Sequence, residues 1–242
     1  MSDEPGRLLA SGRAADVYDL GDGSVLRRYR TDRDCADEAR LMIWLGTQDV
    51  AVPTVHRAAG RDIVMDRVAG PTMVEDLGAR PWRVVRHARE LARLQRSLHE
   101  HEAPGWLPVS PGVTEGDRVL HLDLHPMNVI LADGRSVIID WTNASRGDPS
   151  FDAAMTYVLM ASFEATGLAE RIGQRLLVSV FTWSRGRSVV ARAISDAVRY
   201  RLADRNVTPG ERQNLQRLLD RSLSDRAARR RPRRGRRAGR RP

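Results

Sequence analysis

One segment concentrates the polar residues able to do chemistry: His121-Leu-Asp-Leu-His-Pro-Met-Asn128, then the apolar runs Val129-Ile-Leu131 and Val137-Ile-Ile139, then Asp140-Trp141. Between the two runs stands Asp133-Gly134, a dipeptide suited to a two-residue hairpin. A hairpin brings its ends together, so Asp123 and Asn128 before it are expected to meet Asp140 after it. Two carboxylates and a carboxamide at one loop mouth suit magnesium, which keeps several waters and takes few protein ligands beside phosphate oxygens. Phosphoryl transfer needs such a set because its catalysis is mostly positioning and charge neutralisation, and one carboxylate must orient the attacking hydroxyl. His121, Asp123 and His125 also alternate like zinc ligands. The other histidines, His56, His87, His99 and His101, fall in no motif that would complete such a site.

The elements that must hold these residues can be read from period and punctuation. Short strands are expected at 7–9, 15–20 and Ser24–Tyr29, separated by Ser11-Gly12 and Gly21-Asp22-Gly23. A helix over 34–45 follows, with Ala39, Met42, Ile43 and Leu45 at helical spacing and Gly46 closing it. Two more strands are expected at Val55–Ala59 and 62–65. After Ala69-Gly70-Pro71 the pattern turns helical, with Val84, Val85, Ala88, Leu91, Leu94 and Leu98 on one face. Helices resume from 151 to 223, and the last opens with Thr208-Pro209-Gly210-Glu211, the form of a capping box with proline at the first helical position. The expected class is α+β with two lobes: a five-stranded antiparallel sheet with one helix over 1–68, and a larger, mostly helical lobe over 69–225. An arginine-rich tail over 226–242, without apolar periodicity, is expected to be disordered.

His121-x-Asp123-x-x-x-x-Asn128, then Ile139-Asp140-Trp141, Gly147-Asp148-Pro149 and Asp152, resembles the catalytic signature of the aminoglycoside-phosphotransferase and choline-kinase-like family. The resemblance covers roughly residues 7–225. It implies a bilobal protein-kinase-like fold that binds ATP with Mg2+ between its lobes and passes the γ-phosphoryl group to a hydroxyl of a small molecule. By position, it implies that Asp123 is the catalytic base and that Asn128 and Asp140 are magnesium ligands. His121, His125 and Asp152 would support the catalytic loop. Backbone groups of Asp66 and Val68, at the hinge, would meet the nucleotide base, and Gly12 would lie in the phosphate-covering loop, where one glycine stands in place of three. In the third strand Arg27 occupies the place of the family's lysine, with Glu38 as its helix partner. Arginine keeps the charge but is longer and planar, so the exchange is not neutral. Arg28 is expected on the opposite, solvated face of the strand.

Composition bounds the remaining possibilities. All forty basic residues of the 242 are arginine. Ten of them, and no acid, lie in 226–242; without those ten, thirty basic residues face thirty-one acidic ones, so the formal charge of +9 belongs to the tail. Nucleic acid is therefore an expected partner only through that tail. A pseudokinase or nucleotide-binding scaffold is the alternative, given Arg27. The single Cys35 can make no internal disulfide, Asp3 and Glu4 stand near the start, and no apolar run is long enough for a membrane helix, so a cytoplasmic location is expected. Residues 165–225 carry eleven arginines and six acids, a balance better suited to a neutral or anionic acceptor than to a polycation. Trp183 and Tyr200, in helical runs, read as core.

Overall fold

A computed structural model describes residues 6–12 and 14–230, with side chains as far as Ser224. The first lobe is built from β1 (Arg7–Ser11), β2 (Ala15–Asp19), β3 (Ser24–Tyr29), α1 (Ala36–Thr47), β4 (Val55–Ala59) and β5 (Asp62–Asp66). Its five strands form one antiparallel sheet in the order β1-β2-β3-β5-β4. The central strand β3 buries Val25, Leu26, Arg27 and Tyr29. A strand enclosed this fully can carry a charge only where partners satisfy it. On α1 the buried positions are Glu38, Ala39, Leu41, Met42 and Leu45, while Ile43, expected inside, is exposed. Arg28 is not simply solvated. It stands directly opposite Asp62 in the β3–β5 register and donates to both of its carboxylate oxygens, at 2.8 and 2.7 Å.

The second lobe contains α2 (Met73–Ala79), α3 (Val84–Leu98), β6 (Arg118–Leu120), β7 (Val129–Ala132), β8 (Arg135–Ile138), β9 (Ser145–Gly147), α4 (Pro149–Ser162), α5 (Leu168–Arg185), α6 (Arg187–Ala203) and α7 (Pro209–Arg230). β7 and β8 form the expected hairpin, with Asp133 and Gly134 at φ of 45° and 78°. Positive φ at both loop residues is what a turn matched to strand twist requires. Gly70, in the crossing between lobes, sits at φ 149°, and a Cβ there would lie 2.1 Å from the Leu131 carbonyl oxygen. Only glycine lets the linker pass so close to β7.

α2 and α7 differ from expectation. α2 was not foreseen, although Thr72-x-x-Glu75 marks its start: the Thr72 hydroxyl accepts from the Glu75 amide, and the Glu75 carboxylate accepts from the Thr72 amide. The box expected at α7 is only half formed. The Glu211 amide donates to the Thr208 hydroxyl, but the Glu211 carboxylate is taken by Arg201 at 2.7 Å, and Glu164 supplies the second acceptor. α7 also runs on to Arg230, five residues into the segment expected to be disordered; 231–242 lie outside the described residues. Among the described residues no helix is long and apolar enough to cross a membrane.

Candidate active site

β6 delivers the chain directly into residues 121–128, and β9 leads away from residues 139–144, so the β6–β9 pair holds the two segments side by side. Between them the imidazole of His121 is fully buried. Its Nδ1 accepts from the Asp123 amide at 3.2 Å, which leaves Nε2 to donate to the Ile139 carbonyl at 3.1 Å. Burial pushes its pKa down, against the pull of Asp152, Asp123 and Asp140, so it stays a neutral bridge. Its ring packs 4.6 Å from Trp141, itself buried. One histidine thus ties the backbone of Asp123 to the residue before Asp140.

Leu122 and Asp140 both adopt φ of 63°. For a residue with a Cβ this left-handed conformation costs about 1–2 kcal/mol, and it persists only where the surroundings over-determine it. Asp152 does so for Leu122. Wholly buried, it accepts from the Leu122 amide at 2.7 Å, from His99 at 2.9 Å and from Gln95 at 3.2 Å. Burial would raise its carboxyl, but the hydrogen bonds from His99 and the Leu122 amide hold it below its ordinary value. Arg185, from α5, donates to His99 Nδ1 at 2.6 Å and to the Gln95 carboxamide at 3.1 Å. Arg185, His99 and Gln95 carried no motif in the sequence, yet they anchor the loop to three helices.

Asp123 is turned outward by the bend at Leu122 and is partly exposed. Asn128 donates through Nδ2 to the Asp123 carbonyl at 2.9 Å and to its carboxylate at 3.4 Å. The Asn128 carboxamide oxygen is thereby left free of hydrogen bonds among the described residues. The Ile139 amide donates to the Asn128 carbonyl at 3.0 Å, which fixes Asn128 beside the Asp140 segment. His125 caps the turn 126–128, its Nδ1 accepting from the Met127 amide at 3.3 Å, and its Nε2 lies 3.5 Å from the Asp123 carboxylate.

The opposite wall of the cleft comes from the sheet. Arg27 donates to Glu38 at 2.8 Å, to Asp140 Oδ1 at 2.6 Å and to the Thr142 hydroxyl at 2.7 Å. Thr142 donates to the same Asp140 oxygen at 2.7 Å, and Tyr29 bonds Glu38 and lies 2.9 Å from Thr142. Burial opposes the charge on Arg27, but Asp140 and Glu38 more than compensate and its pKa rises. Asp140 keeps Oδ2 without a hydrogen bond among the described residues, and its side chain is 39% exposed. The sequence singles out neither Tyr29 nor Thr142; each bonds a site residue near it in the chain, and they meet one another across 113 residues.

Burial alone would raise the Asp140 carboxyl, but the charge of Arg27 and the bonds from Thr142 and Arg27 bring it down to about 2 from 3.8. A depressed carboxyl contributes stability that is complete above its unfolded value and lost as pH falls through the folded one. The stability difference between the protein and its Asp140→Asn variant is therefore expected to be constant above about pH 4 and to close as pH falls toward 2, read from melting curves across that range.

At the lobe junction the Asp66 amide is bonded to the Thr54 carbonyl and the Arg67 amide to the Gly23 carbonyl, each at 2.9 Å. The Asp66 side chain is held by His56 at 2.7 Å. Val68 has no hydrogen bond from either backbone group among the described residues, so a donor and an acceptor stand open there. Gly12 spends its amide on the Ala15 carbonyl at 2.9 Å, closing the β1–β2 turn; Arg13 lies outside the described residues. Trp183, read as core, is 64% exposed, and Tyr200 is half-buried with its ring edge-on to Phe151. No group of three or more His, Cys, Asp or Glu side chains converges as a metal cage among the described residues.

A five-stranded sheet facing a helical lobe across a loop bearing Asp123, Asn128 and Asp140 is the architecture of the protein-kinase-like fold. Solved structures share it. Aminoglycoside phosphotransferase APH(2'')-Ib with ADP bound superposes with a TM-score of 0.57 at 14% identity, over 90% of this chain and 92% of that one. A choline/ethanolamine kinase family protein from Mesorhizobium loti gives 0.56 at 18%, over 91% and 86%. Choline kinase from Cryptosporidium parvum gives 0.57 at 12%, over 91% and 90%. Among proteins with curated descriptions none matches. Residues 5–113 and 106–189 match the phosphotransferase enzyme family, APH, so the chain belongs to that family of kinase-type phosphotransferases.

Proposed function

We propose that this protein is an ATP- and magnesium-dependent kinase that phosphorylates a hydroxyl of a small, neutral or anionic molecule. The observation that carries the reading is the junction of Arg27, from the sheet, with Asp140, on the segment tied to Asp123 and Asn128. A cation fit for phosphate, two free oxygens fit for a hard metal and an outward carboxylate are thereby gathered at one cleft. The division into a nucleotide-binding lobe over 1–68 and a catalytic lobe over 69–225 belongs to the same reading.

The free oxygens of Asn128 and Asp140 fit magnesium, which would supply charge neutralisation on the phosphates. Arg27, pinned by Glu38, offers its guanidinium to the α- and β-phosphates. The open backbone groups of Val68 suit the edge of a nucleotide base. Asp123 accepts the hydrogen bond of the acceptor hydroxyl, aligns it and takes its proton as that oxygen attacks the γ-phosphorus and the bond to the bridging oxygen breaks. His121, His125 and Asp152 hold that carboxylate in place and exchange no proton with the substrate.

One observation favours a second reading. Arg27 neutralises Asp140 directly, and a protein that left this bond closed would bind nucleotide without turnover, as a pseudokinase or scaffold. Calorimetric titration of ATP separates the two. Magnesium-dependent binding that disappears in Asp140→Ala, together with transfer to a hydroxyl metabolite, is the expected result. Binding indifferent to both magnesium and Asp140 would overturn the kinase reading.

A further inference from the structure

A groove of about 740 Å3 lies between the C-terminal half of α4, the following loop, α5 and α7. No residue of 121–128 or 138–142 lines it, so it is separate from the cleft. Its walls carry Arg171 and Arg175 from α5, Arg217 and Arg221 from α7, and the rings of Tyr157 and Phe163. Each arginine pair is spaced i,i+4, which puts both charges on one helical face and works against the helix.

None of the four is paired with a carboxylate among the described residues. Arg171 donates to the Ala165 carbonyl and Arg217 to the Asn214 carboxamide, while Arg175 and Arg221 make no hydrogen bond there. Other arginines of the same lobe do have such partners: Arg93 with Glu90, Arg199 with Asp196, Arg201 with Asp204 and Glu211. The one carboxylate on the wall, Glu164, is committed to the start of α7. It accepts from the Thr208 hydroxyl and the Glu211 amide, and it sits so close that a Cβ at Gly210 would lie 2.0 Å from its Oε2. Among the described residues the groove therefore presents four arginines against the single lining carboxylate Glu164, beside ring surface of which Phe163 is 52% exposed.

We propose that this groove is a second binding site, for a small polyanion whose carboxylate or phosphate groups sit on an apolar body such as a ring. Guanidinium groups recognise such anions in paired, directional contacts, and the volume is that of a small-molecule site. A neutral ligand would leave the clustered charge unanswered. A single inorganic anion would leave the Tyr157 and Phe163 surface unused.

The test is calorimetric titration of benzene-1,3,5-tricarboxylate into the full chain at low salt without magnesium. The comparison is between the double variant Arg175→Glu/Arg221→Glu and Arg89→Glu/Arg205→Glu, a matched charge change at exposed positions that do not line the groove. The expected result is saturable binding by the wild type and the matched control, weakened by at least about tenfold in the groove variant. Arg175→Gln/Arg221→Gln is expected to give a smaller loss in the same direction, which holds the test if the reversal disturbs folding. No binding by the wild type, equal weakening in both double variants, or a loss seen only in Arg27→Ala would overturn the proposal.

Discussion

Replacing Asp123 by alanine is expected to lower phosphoryl transfer by about 10²–10⁴-fold, the range for loss of a positioned proton acceptor, with nucleotide binding kept. The geometry separates the two effects. Asn128 is held chiefly by the backbone carbonyl of Asp123, at 2.9 Å, and only loosely by its carboxylate, at 3.4 Å. Removing the side chain therefore leaves the Asn128 oxygen where it is, and Asp140 and Arg27 do not touch Asp123 at all. Asp123→Asn keeps the shape and removes the proton acceptor, so it should match alanine in turnover. Single-turnover transfer to a hydroxyl metabolite accepted by the wild type, paired with ATP titration, reads both quantities. A variant that lost nucleotide binding in proportion to turnover would reassign Asp123 to the scaffold of the loop, and one that kept its turnover would place the base elsewhere.

The parts of this site that were legible in the sequence are those written locally. Asp133-Gly134 announces a turn because both residues must adopt positive φ, and that turn is what returns Asp140 to Asn128. The spacing of His121, Asp123 and Asn128 is fixed by one short loop, so residue types and intervals carry it whole. β3 and α1 were also readable as elements, but Arg27 at the site with Glu38 as its partner followed from the family resemblance, because Val25, Leu26 and Arg27 are buried in succession and leave no alternation to read. What escaped is held by contacts with no local period. Thr142 and Tyr29 are 113 residues apart and meet where the second lobe faces the sheet. Arg185, His99 and Gln95 come from two helices and converge on Asp152, and a buried histidine or glutamine on a helix face looks the same in sequence whether or not it has a partner. β6 and β9, three residues each, are too short for alternation to show. The one miss with a usable signal is α2, where Thr72-x-x-Glu75 stood in plain view before a run too short to display helical periodicity.

Arg27→Met is expected to destabilise the protein by about 3–5 kcal/mol, the usual result of removing one member of a buried ion pair. Glu38 supplies the reason. The Arg27 and Glu38 side chains are 8% and 4% exposed, and without the guanidinium Glu38 keeps, among the described residues, only Tyr29 as a partner for a charge it cannot return to water. Asp140 is different, being 39% exposed and still bonded to Thr142, so it resolvates at small cost. The double variant Arg27→Met/Glu38→Leu should accordingly be much closer to the wild type than either single one, and urea unfolding of the four proteins measures that coupling. Arg27→Lys divides the stabilising role from the role at Asp140. A single ammonium on a shorter stem can keep Glu38 but cannot also reach Asp140 and Thr142 as the guanidinium fork does, so the lysine variant should lose less stability than methionine. It should also leave Asp140 unneutralised and bind magnesium more tightly than the wild type before nucleotide is added. Equal magnesium affinity in the two proteins would mean that the bond from Arg27 to Asp140 exacts nothing from the metal, and the arginine would then be a brace between lobes with no part in gating the site.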